Sequence, residues 1–283
     1  MKRYIIGVLV LLMAVALVFA AKPDTTSVLA TNAKSGKTVV IPAHAVQVAD
    51  NVFSLGTAMD NGRVVEGYAI VDYKEVPAKP PWAGGKNNGE TCYGFLAKGA
   101  KWKGTPESYI IDPTNIDGLS DSFVRANIAS DIDTWEDAAD GSVDGVKGAD
   151  ILGDEVAGVV NRSTIGDLNG KNEVIFADVG SQGAIAVTIV WGIFGGPPSG
   201  RELVEWDQVY DDVDFDWTED ATIETTKMDF WNIAIHELGH SVGLDDLYNT
   251  CTEETMYGYG TEGETKKRDL NAGDITGITK LYS

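Results

Sequence analysis

The 283-residue chain is short of cysteine, of histidine and of positive charge. It holds two cysteines, Cys92 and Cys251, so it is not a small scaffold stapled by many disulfides. Its 22 Lys and Arg stand against 43 Asp and Glu, giving a formal net charge of -21. Nucleic-acid binding needs clustered positive charge to replace counterions, and this balance excludes it. Docking on an anionic lipid surface is excluded for the same reason. The acidic excess reads as solubility. There is no internal repeat. The three histidines are His44, His236 and His240, and two of them lie within five residues.

Lys2 and Arg3 precede an apolar run from Ile5 to Ala21 that ends in small residues. Those are the parts of a secretory signal, so residues 1–21 are expected to be a signal peptide and the product secreted. A membrane association arises only if that segment is retained as an anchor. In an oxidising compartment the two cysteines can pair, or they can stay as buried free thiols.

Residues 22–90 read as a β-rich N-terminal region. Val39–Ile41, Val52–Met59 and Val64–Tyr73 are strand-like, and Asp60-Asn61-Gly62 is a hairpin signal. A Pro-, Gly- and Asn-rich stretch over 77–89 reads as a linker. Residues 91–283 then form the main domain. Strands are expected at Ser108–Ile111, Glu173–Asp178, Gly183–Trp191 and Leu203–Tyr210. Helices are expected over Ser120–Ala139, with Phe123, Val124, Ile128, Ile132 and Trp135 on one face, over Phe230–Val242, and over Asn271–Tyr282. Strands and helices interleave without strict βαβ order, so the fold class is α+β.

The chemistry concentrates in His236-Glu237-Leu238-Gly239-His240-Ser241-Val242-Gly243-Leu244-Asp245-Asp246. Histidines four apart on a helix project from one face and can ligate a single ion. Gly243 is placed to end the helix in a left-handed turn, which would bring Asp246 back as a third ligand. Three protein ligands with a fourth position open to water is the arrangement of catalytic zinc. Glu237 sits on the rim of the same face, placed to act on that water.

This segment resembles the extended zinc signature of the metzincin peptidases, on the matrixin-like branch. The usual third histidine is replaced by Asp246, in a form similar to that of the snapalysins. Glu254-Thr-Met256-Tyr257-Gly258-Tyr259 resembles the methionine turn of these enzymes, and Leu270–Tyr282 resembles the matrixin C-terminal helix. Lys101-Trp102-Lys103 and the segments that follow resemble the start of a matrixin catalytic domain. The resemblance implies a metzincin fold: a twisted mixed sheet, a long helix, an active-site helix and a C-terminal helix. It implies a zinc endopeptidase with His236, His240 and Asp246 on the metal and Glu237 as general base, acting on protein or peptide substrates as a monomer. Gly183–Val190 is the candidate sheet edge for a substrate strand, and Tyr257–Tyr259 would wall the pocket. An anionic third ligand is expected to acidify the water less than a third histidine would.

The acidic run Asp211, Asp212, Asp214, Asp216 and Asp220, and the turn Asp167-x-Asn169-Gly170, could hold structural Ca²⁺ or be solvated loops. Matrixins also carry a histidine-bound structural zinc, for which only His44 remains, so that site is not expected. Cys92 reads either as a latency thiol on the zinc or as the partner of Cys251. The residues around it do not match the matrixin switch motif, which favours the disulfide. Two competing functions are a non-haem iron oxygenase, whose facial triad also uses two His and a carboxylate, and an exported non-enzymatic metal-binding or surface protein. Neither gives Glu237 a role.

Overall fold

The computed structural model describes residues 44–74, 91–248 and 250–283. The signal-like run, the Val39–Ile41 strand and the 77–89 linker lie outside the described residues.

The N-terminal part supplies β1 (Val46–Gln47), β2 (Val52–Asp60) and β3 (Arg63–Lys74). Then come β4 (Gly94–Phe95), β5 (Tyr109–Asp112) and helix α1 (Asp121–Asp137). The central strands are β6 (Asn172–Phe176), β7 (Ala184–Ile193) and β8 (Glu202–Tyr210). Short pairs β9 (Trp217–Thr218) and β10 (Met228–Asp229) lead into α2 (Phe230–Ser241). β11 (Leu244–Asp245), β12 (Tyr259–Gly260) and α3 (Ala272–Tyr282) complete the chain. The α+β expectation holds, and each expected element of residues 91–283 is present within one or two residues.

The main sheet has eight strands in the order β1-β2-β3-β7-β8-β6-β5, with β12 pairing β3 from the side. β5, β6 and β8 run parallel, while β7, β3, β2 and β1 alternate antiparallel. The hairpin signal is realised in the turn between β2 and β3. Asn61 (φ 46°) and Gly62 (φ 81°) both take the left-handed region, the geometry whose twist matches flanking strands. Residues 44–74 therefore extend the same sheet as the rest of the chain. Gly183–Val190, read as a substrate-accepting edge, is an interior strand: β3 covers that edge through a ladder from Glu66↔Gly192 to Tyr73↔Ala184. A run of apolar and small residues fits a strand buried on both faces, and here a strand of the same chain buries its edge as well.

One face of the sheet carries the helices. α1 is capped by the Ser120 hydroxyl, which accepts from Phe123 N–H, and it buries Val124, Ile128, Ile132 and Trp135 along one stripe. The Trp135 indole N–H donates to the Ile235 carbonyl at 2.8 Å, pinning α1 to α2. α2 is buried on nearly every side, and its polar residues Asn232, His236, Glu237, His240 and Ser241 are buried with it. Its N-cap is Asp229, whose carboxylate accepts from Asn232 N–H and pairs with Arg268. On the opposite face Val65, Ala69, Val71, Val187, Ile189 and Val209 pack under the segment that carries Val160, Ile165 and Leu168.

That segment is held by carboxylates. Glu205 accepts the backbone N–H groups of Asn169 and Gly170, and Asp207 accepts those of Gly166 and Glu173. The Asp167–Gly170 turn is thus tied by carboxylates of β8. Burial pushes Glu205 up to about 7, against the opposing pull of those N–H donors. A carboxyl raised in the folded state binds its proton more tightly there than in the unfolded chain, so its contribution is complete at acidic pH. That contribution is lost as pH climbs from about 4.5 to about 7. Urea midpoints measured at pH 5 and pH 8 should fall further in wild type than in Glu205→Gln; equal falls would contradict this assignment.

Candidate metal centre

α2 presents His236 and His240 one turn apart, with ring centroids 5.0 Å apart and planes at 84°. The helix ends at Val242, and Gly243 takes φ +107° with its N–H on the His240 carbonyl. A side chain at Gly243 would be strained, and its Cβ would also meet the Ala100 carbonyl oxygen at 2.8 Å. The reversal works as the spacing implied: Asp246 Oδ1 lies 3.3 Å from His236 Nε2 and 3.6 Å from His240 Nε2. Donors held about 2.0–2.2 Å from one tetrahedral ion are separated by about 3.3–3.6 Å, so Asp246 Oδ1 already has that spacing to both rings, and all three ligand atoms lie within 4.8 Å of one another.

The hydrogen bonding tells the same story. His236 Nδ1 lies 2.7 Å from the Thr255 carbonyl and His240 Nδ1 3.0 Å from that of Leu244, so each ring can donate from Nδ1 and turn Nε2 inward. His236 Nε2, His240 Nε2 and Asp246 Oδ1 are all buried with no hydrogen-bond partner. Three converging orphans of this kind are costly unless a cation satisfies them. Asp246 Oδ2 is occupied separately, by Asn51 Nδ2 at 2.5 Å and the Tyr248 hydroxyl at 3.3 Å.

The electrostatics fit a cation as well. Burial, then the nearby Lys267 ammonium, lowers the His236 pKa and keeps that ring neutral. Burial acts in the same direction on His240, but the Asp246 carboxylate overrides it and lifts His240 to about 9. Burial would raise Asp246, yet the two rings hold it far below the ordinary carboxylate range. A metal is held by neutral imidazole, so binding here competes with protons.

Glu237 is fully buried, and burial pushes it up to about 8 while His240 pulls it down. The Thr188 hydroxyl of β7 donates to Glu237 Oε2 at 2.5 Å, and Oε1 has no partner. Beneath α2, a Cβ on Gly239 would meet the Met256 sulfur at 2.1 Å, so the glycine lets the methionine sit directly under the helix. Asp274 shapes that turn, accepting from Thr255 N–H and Met256 N–H.

All four site residues read from the sequence, His236, Glu237, His240 and Asp246, come together. Cys92 and Cys251 are joined in a disulfide, which removes Cys92 from any role as a metal-directed thiol. His44 is exposed. Within the acidic run, Asp211 accepts from the N–H groups of Val179, Val213 and Asp214, Asp212 from Ile116 N–H, and Asp220 from Thr222 and Arg268. Thr188, Asn51 and Asp72 were missed. Their common signal is one polar side chain inside an otherwise apolar stretch or β-region, a pattern that shows polarity without showing what it faces.

Residues 203–283 match the Matrixin peptidase family, a span that includes the whole triad, Glu237 and Met256. Over 77 residues the chain is 42% identical to "Stromelysin-1" of Equus caballus, covering 27% of this chain and 15% of that protein. Over 91 residues it is 32% identical to "Metalloendoproteinase 2-MMP" of Arabidopsis thaliana, covering 30% of this chain and 21% of the relative. The chain thus spans about a fifth or less of the length of these relatives.

Proposed function

We propose that the chain is a secreted zinc endopeptidase in which His236, His240 and Asp246 hold the metal and Glu237 is the general base. The observation that carries this reading is the set of three buried ligand atoms that converge on one point without a hydrogen bond, beside a buried carboxylate. The match of residues 203–283 to matrixins supports it, and Asp246 in place of a third histidine resembles the snapalysin form.

A zinc ion held there supplies Lewis acidity to the scissile carbonyl and lowers the pKa of water. The protein's own part is proton traffic and orientation. Thr188 fixes Oε2 of Glu237, which leaves Oε1 as the oxygen that takes the water proton and later returns it to the leaving nitrogen. Burial raises the Glu237 carboxyl, the direction that suits a base working near neutral pH. Thr255 and Leu244 hold the two imidazoles in the tautomer that ligates. Export rests on the N-terminal run over residues 1–21. Loss of casein hydrolysis in a Glu237→Gln variant that keeps its metal tests the reading.

A further inference from the structure

Lysine is seldom fully buried without an acidic partner, because its flexible stem lets the ammonium reach water. Among the described lysines and arginines, Lys267 is the exception, with no solvent exposure. Its chain neighbours behave as expected: Lys266 pairs with Glu264, and Arg268 with Asp220 and Asp229, both side chains partly exposed. Lys267 makes no ion pair among the described residues. Its Nζ lies instead 3.4 Å from Nδ1 of His236.

The surrounding bonds fix that contact. The Lys267 N–H donates to Asn232 Oδ1 at 2.8 Å, on α2 one turn before His236. Its carbonyl accepts the Thr255 hydroxyl at 3.0 Å. Thr255 is also the residue whose carbonyl accepts from His236 Nδ1 at 2.7 Å. One residue therefore holds both the imidazole and the lysine backbone. A carbonyl can only accept, so the Nδ1 proton belongs to that bond and the ammonium cannot donate to the same nitrogen. Lys267 stands beside the ring as a charge. Three buried carboxylates, Asp72, Glu237 and Asp246, lie at the same centre. An ammonium placed to neutralise one of them would pair with it directly. Lys267 meets the side of the ring away from Nε2, so its field reaches the metal position through His236, in a dry setting where charges act strongly.

We propose that Lys267 is a positioning residue that acts through His236: its ammonium makes the imidazole a weaker donor and restores to the metal the positive character that the anionic ligand Asp246 removes. This rests on the metallopeptidase reading of the same centre. A carboxylate behind a ligating imidazole makes it a stronger donor and tightens the metal. A cation there does the reverse, so the metal is held less tightly and polarises its substrate more strongly. The two effects have opposite signs, which separates this role from scaffolding. Removing a lysine that merely props His236 in place would loosen the metal.

The test measures zinc affinity of the full chain by competition with a chromogenic chelator, beside casein hydrolysis, for wild type and for Lys267→Met, Lys267→Gln and Lys267→Arg. The Met and Gln variants remove the charge by two different side chains. Both should bind zinc about 10-fold more tightly than wild type, the size of effect that an outer-shell partner exerts. Both should also hydrolyse casein about 10-fold more slowly, through kcat and not KM. Lys267→Arg keeps the charge and should stay near wild type in both respects. Zinc binding in each variant also reports a folded centre. Neutral variants that bind zinc as wild type does, or more weakly, would overturn the proposal, and so would tighter zinc with unchanged kcat. Wild type that binds no zinc, or a His240→Ala chain that binds it equally well, would overturn the metallopeptidase reading and this proposal with it.

Discussion

Glu237→Gln is expected to hydrolyse casein about 10²–10⁴-fold more slowly than wild type, the usual worth of a positioned general base. The glutamine is nearly isosteric and can still accept the Thr188 hydroxyl, so the α2–β7 contact should survive. Glu237 is not one of the three atoms that converge for the metal, so zinc content should be unchanged. The loss should fall on kcat rather than KM, because the carboxylate acts on the proton in flight and not on the bound peptide. A variant within a few-fold of wild type would show that Glu237 is not the base. A variant that lost both activity and zinc would show it to be part of the metal's support instead.

The second large effect concerns the Cys92–Cys251 bridge, which spans 159 residues of sequence. In the chain-entropy picture, closing a loop of that length stabilises the fold by about 5 kcal/mol. Packing around it is tight: a Cβ on Gly273 would come within 1.9 Å of the Cys92 carbonyl oxygen, so the segment is seated directly against α3. Scanning calorimetry of a Cys92→Ser, Cys251→Ser double variant should show a melting temperature lower by about 10–20 °C, at about 2–4 °C per kcal/mol for a domain of this size. Zinc content should be unchanged in whatever fraction stays folded. An unshifted transition would mean the bridge closes no loop that matters. Activation of the full chain on loss of Cys92 alone would revive a thiol role that the disulfide geometry argues against.

Much of the centre was legible because its logic is local. Two histidines one helical turn apart, a glycine that must turn left-handed and a carboxylate three residues on are all fixed by short-range geometry. The strands and helices of residues 91–283 were legible for a similar reason, since each has a clear period. What the sequence left hidden depends on long-range pairing. Nothing local in Ala184–Ile193 says whether its edge is open, because a buried interior strand and a covered edge have the same apolar composition. That β3 fills this edge follows only from a register linking residues 66–73 to 184–192. Asp72 is invisible for the same reason: an aspartate near a strand end normally reads as a solvated turn residue, and only the fold brings it to His236 and Glu237. Likewise Thr188 looks like an ordinary β-former until α2 is laid across it.

The central claim is that two imidazoles and the carboxylate of residue 246 share one ion, and a crystal of the wild-type chain illuminated on either side of the zinc absorption edge tests it most directly. The account predicts a single anomalous peak about 2.0–2.2 Å from His236 Nε2, His240 Nε2 and Asp246 Oδ1 alike. A zinc-replete crystal with no peak there, or with a peak that Asp246 does not reach, would contradict it.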